Sequence, residues 1–215
     1  MKQEEKSALA RRRILDAAMR EFAHKGYEGA SLNTVCAENG ISKGIIYHHF
    51  RDKSELYLLC VEECFDALTA YLERERAAFG PQEQGLQDYF NARLRFFAQQ
   101  PLYLGIFSDA VFQPPSELAG AVAERKRGFD ALSISVLTDF LADRPLRGGL
   151  SAAVIAEELR SYMDYFNLRF KTAFAMGCRP EDILKEHEER CCRQIDILLH
   201  GVLCEEHEKE TDCHQ

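Results

Sequence analysis

The sequence predicts an all-α protein of about nine helices, and three observations carry that expectation. Apolar residues recur at helical spacing along nearly the whole chain. No run of alternating Val, Ile and Thr marks a strand. Gly, Pro and capping residues punctuate the chain at helix-length intervals. With 215 residues, 46% hydrophobic and 29% charged, the chain has the composition of a soluble globular protein of one to two domains. No stretch approaches about 18 uninterrupted apolar residues, so no membrane contact is expected.

The first helix is expected from Ser7 to Lys25. Ile14, Ala18 and Phe22 form its apolar stripe and Gly26 is its stop. Ser31 caps a second helix, Leu32 to Glu38, which Asn39-Gly40 ends. Ser42 caps a third, Lys43 to His49. Asp52 starts a fourth, with Glu55 three residues on in a capping-box pattern. That helix extends to Phe79, about 40 Å at 1.5 Å per residue. A fifth follows Gly80-Pro81 and runs to Gln99; Pro101 opens a sixth that stops at Pro114-Pro115. A seventh runs from Ser116 to Ala142, before a loop holding Pro145, Gly148 and Gly149. The eighth spans Ala152 to Met176, between Ser151 as cap and Gly177 as stop. The ninth starts at Pro180 and runs past Leu203 into a polar tail.

Charge divides the chain unevenly. Residues 1–53 carry a balance of +3 and residues 54–215 a balance of −11, within a net −8. This fits an N-terminal part that approaches a polyanion and an acidic body that does not. The N-terminus MKQEEKSALARRR is charged and lacks an apolar segment, so no secretory leader is expected and the location is expected to be cytoplasmic. The eight cysteines then read as reduced thiols.

Two short helices joined by a three-residue turn containing Gly form a helix-turn-helix pattern, whose second helix enters the major groove. Here that helix is Lys43–His49. Ser42 and Lys43 stand at its N-terminus, where backbone N–H groups favour phosphate. Gly44 permits close backbone approach. Tyr47 and His48 reach phosphates or base edges, Ile45 a thymine methyl, and Lys53 a further phosphate. Ile46 and Phe50 face inward onto Ile14, Phe22 and Val35. By composition alone, the same residues also fit a solvated helix face.

The run from Gly26 to Leu56, GYEGASLNTVCAENGISKGIIYHHFRDKSEL, resembles the DNA-binding domain of the TetR family of transcriptional regulators. Ile14-Leu15-Asp16-Ala17-Ala18 and Glu21-Phe22 extend the likeness upstream, to about 45 residues in all. Cys36 and Asn39 stand where the family usually has Ala, and Ile45 where a small or hydroxylated residue is common. The resemblance implies a helix-turn-helix DNA-binding domain over residues 1–52 and a helical ligand-binding and dimerisation domain over 53–215. It implies DNA contacts from Ser31, Ser42, Lys43, Gly44, Ile45, Tyr47, His48 and Lys53. It also implies a homodimer through the last two helices, a palindromic double-stranded operator and repression relieved by a small effector. No cofactor and no catalytic residue are expected.

Residues 89–112 hold seven aromatics, and the eighth helix adds Tyr162, Tyr165, Phe166 and Phe170. Clustered aromatics line apolar pockets and also simply fill cores. With the resemblance, Phe107, Phe112, Tyr162, Phe166 and Arg169 are the candidates for contact with an apolar or aromatic effector. Arg169 fits an anionic ligand group there, and equally a pair with Asp164 or a place at the dimer surface. A second reading on the same scaffold is metal or thiol sensing. His200, Cys204 and His207 share one face of the last helix, with Cys213 and His214 nearby, and Cys60 and Cys64 lie four apart. The His187–Cys191 stretch HEERC lacks the second His of a zinc protease. No hydrolytic triad or phosphate loop is present, which argues against an enzyme.

Overall fold

A computed structural model describes residues 3–80, 83–142, 144–146, 148–159, 161–162, 176 and 178–202. Its helices are α1 (Gln3–Gly29), α2 (Leu32–Asn39), α3 (Lys43–His49), α4 (Lys53–Glu75), α5 (Glu83–Gln99), α6 (Pro101–Phe112), α7 (Ala119–Leu141), α8 (residues 152–159) and α9 (Pro180–Val202). The all-α expectation holds across them.

α1 begins at Gln3 and not at Ser7, and three further boundaries differ from the expected ones. Gly26 does not end α1 but kinks it. Its φ of 65° is open to glycine at low cost, and the helical run resumes through Tyr27 to Gly29. The fourth helix stops at Glu75 and tightens into a 3-10 turn at Arg76–Ala78, closed by the Phe79 N–H on the Arg76 carbonyl. Behind Pro114-Pro115, residues Ser116–Leu118 form another 3-10 turn, so α7 begins at Ala119.

α4 is the axis. One face of it buries Leu56, Cys60, Val61, Cys64, Phe65, Leu68 and Leu72 at three- and four-residue steps, and it packs against α1, α5, α6 and α7. Each large apolar side chain so buried stabilises the fold by about 1.5–3 kcal/mol. α6 is buried from Leu104 to Ala110 and lies between α1 and α4. Gly105 permits that approach: a Cβ there would stand 2.2 Å from the Ala23 carbonyl oxygen of α1. One continuous buried cluster runs from Ile14 in α1 through Phe65 and Phe129 to Ile183 in α9.

Candidate nucleic-acid interface and ligand cavity

The helix-turn-helix is held by local chemistry that the sequence spells out. The Ser31 hydroxyl accepts from the Asn33 amide at 3.2 Å and caps α2. Glu21 of α1 accepts the Ser31 N–H at 3.0 Å and the Lys25 ammonium at 3.0 Å, fixing the start of α2 on α1. Burial would push the Glu21 carboxyl up, but the Ser31 amide and Lys25 outweigh it and hold the group below its ordinary value. Gly40, at φ 61°, takes the left-handed position, and the Cys36 carbonyl accepts from both the Gly40 and Ile41 amides. Asn39 is the last helical residue, and its side chain bridges the Val35 carbonyl and Arg20. The Ser42 hydroxyl caps α3 through the Ile45 N–H at 3.4 Å.

α3 has two faces. Ile46 is 1% exposed and the C-cap Phe50 2%, both packed into the cluster with Ile14, Phe22 and Val35. Ser42, Lys43, Gly44 and His48 are exposed, as are Ile45 at 45% and Tyr47 at 56%. Ile45 and Tyr47 thus put two large side chains on the open side of a seven-residue helix. Nothing lies within 4 Å of where a Gly44 Cβ would be. Ser31 is half-buried at the start of α2. Lys53 is half-exposed; its ammonium lies 4.5 Å from the centre of the Tyr27 ring and 3.5 Å from the Glu28 carbonyl.

The three-helix unit is locked to the body by α6. Asp109, the one charged residue of that helix, sits under the Gly26 kink. It accepts from the Tyr27 N–H at 3.1 Å and the Tyr57 hydroxyl of α4 at 2.6 Å. A side chain at position 26 would place its Cβ 2.4 Å from the Asp109 carboxylate. Burial pushes the Asp109 carboxyl up, and the two donors only partly offset this. A second tie runs from Arg12 of α1 to Glu63 of α4, a two-pronged contact at 2.6 and 2.9 Å, and on to the Tyr103 hydroxyl of α6. Arg12 and then Tyr103 draw the Glu63 carboxyl down against its burial, while burial and Glu63 push the Tyr103 phenol up to about 12.

Beyond α6, a cavity of about 320 Å³ opens between α5, α6, α7, α8 and α9. That is the small end of the range of about 300–1,000 Å³ for small-molecule sites. Phe107 and Val111 of α6 form one wall, Phe90 and Leu86 of α5 another, and Phe129 and Leu137 of α7 a third. Of the five residues expected at an effector site, Phe107 lines this cavity. Phe112 is buried beside it, its ring 5.4 Å from that of the cavity residue His187. Tyr162 is half-buried against the core. Phe166 and Arg169 lie outside the described residues. Inspection of the sequence missed Arg93 and His187 as cavity residues. The signal for Arg93 was its spacing: it follows Tyr89 and Phe90 by four and three residues and precedes Phe96 and Phe97 by three and four, which puts a lone cation on an aromatic helix face.

The cysteines are described in part. Burial pushes the thiols of Cys60, Cys64 and Cys191 up, opposite to a reactive thiolate. Among the described residues no three His, Cys, Asp or Glu side chains converge as metal ligands. Cys204, His207, Cys213 and His214 lie outside the described residues, as does the side chain of His200.

Residues 14–60 match the family model of bacterial regulatory proteins, tetR family. The chain is 40% identical over 72 residues to the HTH-type transcriptional repressor Rv1474c of Mycobacterium tuberculosis, covering 34% of this chain and 38% of that one. It is 42% identical over 59 residues to the HTH-type transcriptional repressor AcnR of Corynebacterium glutamicum, covering 27% and 31%. The match thus spans about a third of each relative's length. Among solved structures, the transcriptional regulator FadR from Bacillus subtilis in complex with stearoyl-CoA aligns over 84% of this chain and 96% of its own, with a TM-score of 0.61 and 16% identity. That last likeness is one of fold.

Proposed function

We propose, from the premise that residues 14–60 are a helix-turn-helix domain of the tetR family of bacterial regulatory proteins, that this chain is a ligand-released transcriptional repressor. In this reading residues 1–52 bind a palindromic operator, and residues 53–215 hold the effector and pair two copies through the last two helices. Ser31, Ser42, Lys43, Gly44, Ile45, Tyr47, His48 and Lys53 contact DNA. The protein works in the cytoplasm, and no described helix is long and apolar enough to cross a membrane. The relatives are regulators and not enzymes.

One observation carries the reading: α3 anchors itself by Ile46 and leaves Lys43, Gly44, Ile45, Tyr47 and His48 open beside a capped helix start. Release follows from the position of α6. Phe107 and Val111 border the cavity, while Gly105 and Asp109 bear on α1 and α4. A ligand that displaces the Phe107 wall therefore moves the support of the Gly26 kink. Two half-sites must be met at once, about 34 Å apart or a multiple of that, so a small tilt of each unit breaks contacts on both. The apolar cavity suits an apolar effector body, and the stearoyl-CoA of the Bacillus subtilis neighbour carries one.

The test is fluorescence anisotropy of operator DNA over a salt series. Lys53→Ala should weaken all operators alike and reduce the log–log salt slope by about 1. Tyr47→Ala should weaken the operator more than random DNA. Unchanged affinity and slope in both variants would remove this face from the interface.

A further inference from the structure

The cavity holds charged groups that the apolar-effector reading does not use. Arg93 of α5 lines it, yet its side chain is only 6% exposed. Its guanidinium carbon lies 5.1–5.9 Å from the centres of four rings, Tyr89, Phe90, Phe107 and Phe129. One of its terminal nitrogens meets Glu188 of α9 at 3.0 Å, and the same Glu188 oxygen faces His187 Nδ1 at 3.2 Å. Burial works against the Arg93 charge, but Glu188 outweighs it. The Arg93 Nε–H and the second oxygen of Glu188 are each without a hydrogen-bond partner among the described residues. The second cation of the lining, Lys126, meets Asp130 at 2.5 Å. Ser133, also in the lining, gives its proton to the Phe129 carbonyl at 2.9 Å and takes that of Tyr89 at 2.6 Å. So each cation described in the lining is matched by a carboxylate, and the Arg93 Nε–H is left over in an aromatic surround, beside a carboxylate oxygen that is also unpartnered.

We propose that this cavity selects an uncharged, ring-sized apolar molecule bearing a hydrogen-bond acceptor, such as an amide, ketone or ether oxygen, which takes the Arg93 Nε–H. This rests on the reading of the cavity as the effector site. An anion is disfavoured because Arg93 is already neutralised. An anion accepting the Nε–H would bring an uncompensated negative charge against a buried, already neutral ion pair, beside a Glu188 carboxylate that is 1% exposed. A cation is disfavoured because the Glu188 and Asp130 carboxylates of the site are already paired with Arg93 and Lys126. An uncharged acceptor satisfies the idle donor and leaves both ion pairs standing.

The experiment uses three probes of one shape with the purified full chain, read by calorimetry: 2-naphthamide, 2-naphthoate and naphthalene. The amide should bind about tenfold or more tightly than the carboxylate and also more tightly than naphthalene. Ala156→Phe, which fills the cavity from α8, should abolish all binding. Removing Arg93 alone would strand Glu188 and endanger the fold, so the informative variant is Arg93→Met with Glu188→Leu. In it the advantage of the amide over naphthalene should vanish. If the carboxylate binds as tightly as the amide, and Ala156→Phe abolishes that binding, the cavity stands as the site and the uncharged class is overturned. If none of the probes binds at millimolar concentration, the site and the class fall together.

Discussion

At the scale of single residues, Gly44 and Asp109 do opposite work. Gly44 is not needed by the protein itself: its helix position is ordinary and the space before it is empty. Gly44→Ala should therefore stabilise α3 by up to about 1 kcal/mol while weakening operator binding, because in the proposed complex the added methyl stands where a phosphate or base edge approaches. Thermal melting beside operator titration checks both halves; a variant that binds as well as the parent would put the DNA elsewhere. Asp109 is needed by the fold. Tyr57→Phe removes its shortest donor and should cost about 1–3 kcal/mol in urea unfolding. The folded-state value of Asp109 is raised, so its contribution to stability is fully present below the unfolded value and is lost as pH rises through the folded one. Asp109→Asn lacks that loss, and its stability relative to the parent should rise with pH through the acid range. A difference that is flat or falling as pH rises above the ordinary carboxylate range would contradict the buried, raised carboxyl.

At the scale of elements, the sequence disclosed what is local. The caps Ser31, Ser42 and Asp52, the Gly40 turn and the inward step from Ile46 to Phe50 lie within a few residues of what they control, and all are present in the structure. Gly26 was legible as a break but not as a kink, because the reason lies 83 residues on, in the Asp109 carboxylate. The end of α4 and the start of α7 shifted for a local reason: periodicity does not distinguish a terminal α-helical turn from a 3-10 turn. Seven aromatics between residues 89 and 112 announced a core or a pocket, and only the packing of five helices separates Phe107 on the wall from Phe112 behind it. Helix α6 carries the consequence. Gly105→Ala would drive a methyl into the Ala23 carbonyl and push α6 off α1, at a cost of about 1–3 kcal/mol. Because α6 also bears Phe107, the same variant should loosen the tie between effector and operator. The measurable sign is a smaller drop in DNA affinity at saturating effector; an unaltered drop would remove α6 from the route.

For the whole molecule, the uneven charge bears on how DNA is met in the proposed function. The N-terminal 53 residues carry +3 and the rest −11, so attraction is confined to the small unit while the acidic body favours an orientation that keeps it away from phosphate. Over the Debye length of about 8 Å at physiological salt the two ends act independently, and binding should weaken steeply as salt rises. The central claim is that the face of α3 reads a specific duplex in two copies at once. The measurement that tests it most directly is selection, from the source organism's genomic DNA, of fragments retained by the purified protein, followed by sequencing. The account predicts one enriched inverted repeat whose half-site centres lie about 34 Å or a multiple apart, lost when Tyr47 is replaced by Ala. Retention of fragments without a shared sequence, by protein that is folded and binds its effector, would contradict it.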